Sequence, residues 1–158
     1  MQPRILVPYD FSPTAEQALR WADELKRSVG GGSIHLLYVL SPLPIAGTVP
    51  AIPLSVPCEE DLEKIEEGLR DTALHVAPEA TIRAVMGTDA ATQIIGTAQE
   101  QNADLIVMGT HGRGGVKRLV LGSVADYVVR HASCPVVTVR GRAANSTQPP
   151  RDGAAGEG

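Results

Sequence analysis

Apolar and polar positions along this chain follow two rhythms, and each change of rhythm marks an element. Ile5-Leu-Val7 is a short apolar run that stops at Pro8-Tyr-Asp10, which reads as a buried strand. Ser12-Pro13 then supplies an N-cap and a favourable first helical residue. Ala15, Ala18, Leu19, Ala22, Leu25 and Val29 recur at helical spacing until Gly30-Gly-Gly32 stops them. Ile34 to Leu40 is apolar almost throughout, the pattern of a strand covered on both faces.

The second half repeats the alternation. Leu62, Ile65, Leu69, Ala73 and Val76 form one stripe opposite Glu63, Lys64, Glu67 and Arg70, predicting a helix from near Glu59 that Pro78 ends. Thr81 to Met86 alternates apolar and polar near its start, which suits an edge strand. Gly87-Thr-Asp89 turns into a helix carrying Ile94, Ile95 and Ala98. Leu105 to Met108 reads as another buried strand, and Val124, Tyr127 and Val128 set a helix from about Ser123 to His131. Pro135 opens a last strand, Val136 to Val139. Strands alternating with helices over short links predict an α/β domain: an open parallel five-stranded sheet, doubly wound, with helices on both faces.

Two stretches fall outside this rhythm. Residues 41–57 hold Pro42, Pro44, Pro50, Pro53 and Pro57 and are expected to be irregular, either a functional flap or a disordered excursion. Residues 142–158 are Ala, Gly, Pro and polar groups with nothing large to bury. The expected division is one folded domain over 1–141 and a disordered tail over 142–158.

Candidate chemistry concentrates between Leu105 and Ala125. At Gly109 the strand empties into glycines and cations, and a helix follows. A glycine-rich loop running onto a helix N-terminus suits an anion, because bare backbone approaches closely and free amides and the helix dipole face it. A Walker A loop needs Lys directly after its second glycine, whereas Lys117 lies two residues beyond Gly115. A dinucleotide G-x-G-x-x-G would need glycine at 117, so that pattern fails as well. The spacing present, Gly109-x2-Gly112-x9-Gly122-Ser123, resembles the nucleotide-binding signature of the ATP-binding branch of the universal stress protein family. Ile5-Leu-Val-Pro-Tyr-Asp-Phe-Ser12 is similar to that family's first strand and turn, and His131-Ala-Ser-Cys-Pro-Val-Val-Thr-Val139 to its last helix-to-strand passage. The likeness covers roughly residues 3 to 140, in the same order.

The resemblance implies strand order 3-2-1-4-5. Pro8-Tyr9-Asp10 and the loop after Met108 then end at one crevice, where the winding reverses. It implies that Gly109 and Gly112 pass close to ribose and phosphates, while Gly122, Ser123 and Val124 meet the phosphate oxygens. It promotes Val39 and Met108, which alone read as core, to walls of an adenine pocket. Arg113, Lys117 and Arg118 place positive charge in the loop, though singly each reads as a solvated cation. Asp10 stands between two readings: acceptor for a ribose hydroxyl or holder of Mg2+ or Mn2+ bridging the phosphates, or a capping carboxylate for the first helix. The chain departs from the family at Thr88-Asp89, where a proline-containing turn is usual, and at Tyr9, usually a small polar residue. A bulky ring beside Asp10 is expected to reshape the nucleoside pocket.

Composition narrows the classes. At 158 residues, 43% apolar and 20% charged, the chain fits one globular domain with a full-sized core. A net charge of -4 argues against a nucleic-acid partner. No apolar run is long enough for a bilayer, and Met1-Gln-Pro-Arg4 has no signal-type segment behind it, so a cytoplasmic protein with no membrane partner is expected. Cys58 and Cys134 lack metal-ligand spacing and are expected to be buried or inert thiols. The chain contains no G-x-S-x-G, no H-E-x-x-H and no recognisable carboxylate pair, and His35, His75, His111 and His131 are scattered. No catalytic residue is predicted. The expectation is an ATP-binding regulatory stress-response protein, with two alternatives: a slow ATPase or self-phosphorylating enzyme, and a structural dimer without nucleotide. The short apolar last strand offers an edge for pairing, and the family likeness implies a homodimer through Val136 to Val139.

Overall fold

The computed structural model describes residues 2–41, 58–110 and 121–140. Met1 and residues 42–57, 111–120 and 141–158 lie outside the described residues. The expectations for those stretches, including Gly112, Arg113, Lys117, Arg118 and His111, lie there with them. The elements run β1 (Arg4–Pro8), α1 (Pro13–Ser28), β2 (Ser33–Leu40), α2 (Glu59–Val76), β3 (Thr81–Met86), α3 (Ala90–Glu100), β4 (Leu105–Gly109), α4 (Ser123–His131) and β5 (Val136–Val139). All strands pair in parallel, in the order β3-β2-β1-β4-β5, as the resemblance implied. No helix among the described residues is long and apolar enough to cross a membrane.

Each face of the sheet has its own core. Ile5, Val7 and Tyr9 of the first strand and its exit pack with Leu36, Leu19 and Leu69 under α1 and α2. Leu6, Leu37, Ile106 and Met108 pack with Ile94 and Val128 under α3 and α4. Alternation along a strand sends successive side chains to opposite faces, so the unbroken run Ile5-Leu6-Val7, wholly buried, serves both cores. The helix boundaries follow local chemistry. Ser12 Oγ accepts the Ala15 amide at 3.2 Å to start α1, and Asp89 accepts the amides of Ala91 and Thr92 to start α3. Gly30, Gly31 and Gly32 all take positive φ beyond α1, a turn that side chains resist.

The sheet opens where the chemistry of one residue forbids pairing. Tyr9 donates its amide to Leu37 of β2 at 2.8 Å, so odd positions of β1 turn their amides toward β2 and even positions toward β4. Pro8 is an even position and has no N–H. The β1–β4 ladder accordingly pairs Ile5 with Leu105 and Leu6 with Ile106 and goes no further. The two outer edges also differ. Gly87 donates to Leu40 at 3.0 Å, which turns even-numbered amides of β3 outward, and the one at Ala84 is taken by the Glu66 carboxylate at 3.3 Å. On β5, Pro135 and Val139 accept from β4, which leaves the backbone groups of Val136 and Thr138 facing away from the sheet.

The two cysteines divide the expectation of buried or inert thiols between them. Both thiols are free, and Cys58 is exposed at the start of α2 rather than buried. Cys134 is half-buried, and that burial holds its thiol above the ordinary range.

Candidate functional site

Beyond the end of the β1–β4 ladder lies a cleft of about 470 Å3, within the range of small-molecule sites. Pro8, Tyr9 and Asp10 line it from the exit of β1, and Val39 from the end of β2. Met108 and Gly109 line it from β4, with Gly122, Ser123 and Val124 from the start of α4. Every site residue expected from sequence that falls among the described residues therefore borders one cavity. Ser12, Ala90, Ile94 and Thr110 border it too, and sequence reasoning missed them. In the sequence Ile94 reads only as part of a helical stripe; that the stripe overhangs the ends of β2 and β4 depends on how α3 crosses the sheet.

The start of α4 is the polar end of the cleft. Gly122 is its N-cap at φ -60, ψ 152, and no side chain caps it. This φ is ordinary for any residue, so no strain attaches to the position. Gly122 was expected to present its amide to a ligand, but that amide donates to the Thr110 carbonyl at 2.8 Å. The Gly122 carbonyl meanwhile accepts from Asp126 at 2.8 Å. The amides of Ser123, Val124 and Ala125 remain without an acceptor inside the helix, with the Ser123 hydroxyl beside them. An uncapped helix start with its dipole aimed at a cavity favours an anion.

Asp10 lies at the turn between β1 and α1. Its Oδ1 accepts the Ser12 amide at 3.0 Å, bracing the turn into α1, and the residue also borders the cleft. It is the one charged side chain among the described lining residues. The described histidines, His35, His75 and His131, lie on β2, α2 and α4 and do not line the cavity. Tyr9 lies between the core and the cleft. Its ring belongs to the core beneath α1 and α2, edge-on to Phe11 at 5.3 Å, and its hydroxyl meets Thr72 of α2. Burial raises the phenol pKa above its ordinary value, partly offset by the Thr72 hydrogen bond. Tyr9 also lines the cleft, and the Asp10 charge adds a smaller upward push to its phenol.

The geometry defines a class: a doubly wound α/β protein with a ligand cleft at its crossover point, apolar at one end and anion-receptive at the other. The sequence model of the Universal stress protein family matches residues 1–140. The chain belongs to that family. A universal stress protein of Methanocaldococcus jannaschii is 29% identical over 147 residues, covering 87% of this chain and 81% of the relative. Among solved structures, the universal stress protein UspA from Lactobacillus plantarum superposes with a TM-score of 0.71 at 26% identity, over 87% of this chain and 97% of that one. The Archaeoglobus fulgidus universal stress protein in complex with dAMP superposes with a TM-score of 0.62 at 23% identity, over 88% and 98% of the two chains.

Gly109 carries a structural duty that can be separated from any ligand. A Cβ placed there would lie 2.6 Å from Thr14 Oγ1, 2.9 Å from its Cβ and 3.0 Å from its backbone carbon. The end of β4 thus presses directly on the first turn of α1. Gly109→Ala is expected to destabilise the fold by about 1–3 kcal/mol through overpacking, measured by urea unfolding without any added ligand.

Proposed function

We propose that this protein binds an adenine nucleotide, ATP, in the β1–β4 cleft and acts as a nucleotide-responsive regulatory protein of the stress response. The observation that carries the reading is the convergence on one cavity of every described residue that the glycine signature and the first-strand motif single out. The dAMP held by the Archaeoglobus fulgidus relative supports a nucleotide as the ligand. In this reading Val39, Met108 and Ile94 wall the base, and Asp10 accepts from a ribose hydroxyl. The amides of Ser123 and Val124 receive the phosphates, and Gly122 leaves room for them. Gly112 and Arg113, outside the described residues, complete the set. Mg2+ or Mn2+ suits a site with one carboxylate, because such ions commonly take one or two carboxylates and fill the rest of their shell with phosphate and water. Asp10 would hold the ion, and the ion would neutralise phosphate charge. Such a protein resides in the cytoplasm, where ATP is supplied.

The reading is tested by analysing freshly purified protein for bound nucleotide and titrating it with ATP by calorimetry. Gly122→Val places two methyl groups against the phosphate position, while its unstrained φ lets the fold survive at a cost on the order of 1 kcal/mol. ATP affinity should fall at least about tenfold, or about 1.4 kcal/mol. A folded Gly122→Val protein with wild-type affinity overturns the phosphate assignment. Asp10→Asn keeps a neutral hydrogen bond and should lose only several-fold, about 1 kcal/mol, in the same titration. Phosphate released from γ-labelled ATP, or label left on the protein, would convert the reading to a slow ATPase or self-phosphorylating enzyme. Absence of any nucleotide affinity would leave a structural dimer.

Two copies pair through β5 in this proposal. Val136 and Thr138 turn unpaired backbone groups outward there, whereas the β3 edge is engaged at Ala84 by Glu66. Antiparallel pairing across a twofold axis closes the assembly. Thr138→Pro removes an outward amide that the fold itself does not use. It should give a monomer near 16.6 kDa in sedimentation with the domain still folded, against a dimer for the wild type.

A further inference from the structure

Phe11 is the one bulky side chain among the described residues held at positive φ, at 62°; the other non-glycine residue there is Asn102. A large residue in the left-handed region is a genuine outlier, and it persists only where its surroundings over-determine it. Here the surroundings are aromatic. The Phe11 ring meets Tyr9 edge-on at 5.3 Å and Tyr38 at 5.7 Å with a 47° tilt. Its far side rests on α2 at Gly68, where a Cβ would come within 3.2 Å of the ring. Thr72, one helical turn along α2, meets the Tyr9 hydroxyl. The ring is nonetheless 39% exposed, so filling the core does not account for its place.

The kink that Phe11 makes has a direct chemical consequence. It brings the Ser12 amide back to Asp10 Oδ1 at 3.0 Å, and Asp10 borders the cleft. Tyr9, just past β1, and Tyr38 of β2, both against the ring, border the same cleft. We propose that Phe11 is a positioning residue: anchored on Tyr9, Tyr38 and Gly68, its left-handed turn fixes the Asp10 carboxylate at the cleft for a ligand hydroxyl. The inference rests on the nucleotide reading above and adds to it a specificity device, recognition of the ribose 2′ side through a residue that never touches the ligand.

The test is calorimetry of ATP and 2′-deoxyATP on the full chain. The variants are Phe11→Gly, which keeps the φ but removes the ring, Phe11→Tyr, which keeps both, and Gly68→Ala, which crowds the ring without deleting it. The wild type should prefer ATP. Phe11→Gly should lose about tenfold in ATP affinity and bring the two nucleotides to near-equal binding. Phe11→Tyr should restore both affinity and preference. Gly68→Ala improves helix propensity, so its melting temperature should hold or rise while ATP preference falls; a ring that only supports the fold would not give that opposition. Phe11→Gly with wild-type affinity and preference overturns the proposal, as does a wild type indifferent to the 2′-hydroxyl. If Phe11→Gly does not fold, Gly68→Ala with unchanged preference overturns it. A wild type that binds neither nucleotide overturns the nucleotide reading itself, a result distinct from ATP binding that Phe11 does not influence.

Discussion

The site depends on a hydrogen bond that cannot form. Two parallel strands at the middle of a sheet would ordinarily pair along their full length, and β1 and β4 begin that way at Ile5–Leu105 and Leu6–Ile106. The next amide toward β4 belongs to Pro8, which has none. A cavity in a close-packed interior is costly unless the backbone around it is satisfied by other means. Here the alternatives are visible: Tyr9 turns to Leu37, Thr110 to Val139, and Gly122 to Thr110. The crevice is thus bordered by a backbone that has found partners elsewhere.

Two helices begin at this crevice and are treated in opposite ways. The start of α1 is satisfied from within, by Ser12 on Ala15 and by Asp10 on Ser12 itself. The start of α4 has a glycine for its cap and no side chain to serve its first turn. One helix spends its terminal polarity on holding the Asp10 turn in place, and the other keeps its polarity facing the cavity. That division separates the rigid side of the cleft from the receptive side. Gly109, pressed against Thr14, is the contact that sets the distance between them.

Much of the architecture was legible because it rests on local rules. Proline and glycine punctuation, N-cap residues and the two hydrophobic periods located the elements, and the alternation in Thr81–Met86 marked β3 as an edge. The cleft residues were legible through the glycine spacing and its family likeness. What escaped was decided by distant partners. The Tyr9 ring is directed by Thr72 and Phe11. The Gly122 amide is claimed by Thr110 across a loop. The wall at Ala90 and Ile94 depends on where α3 lands, and a stripe of apolar residues looks the same whether it seals a core or roofs a cavity. The exposure of Cys58 follows from its place as N-cap of α2, which its residue type does not announce.

The Glu66 carboxylate on the outward amide of Ala84 has a meaning for assembly as well as for folding. A sheet with two open ends can keep adding copies and grow into a filament. The carboxylate at the middle of β3 takes one donor that an added strand would need there. A strand added at β3 would have to displace Glu66 from Ala84, a cost that the β5 rim does not impose. Glu66 is itself steadied by Arg70 at 3.1 Å, so the stopper is tethered within α2 and independent of the cleft. Resistance to growth at that rim is thereby written into α2, through Glu66 and the Arg70 that holds it.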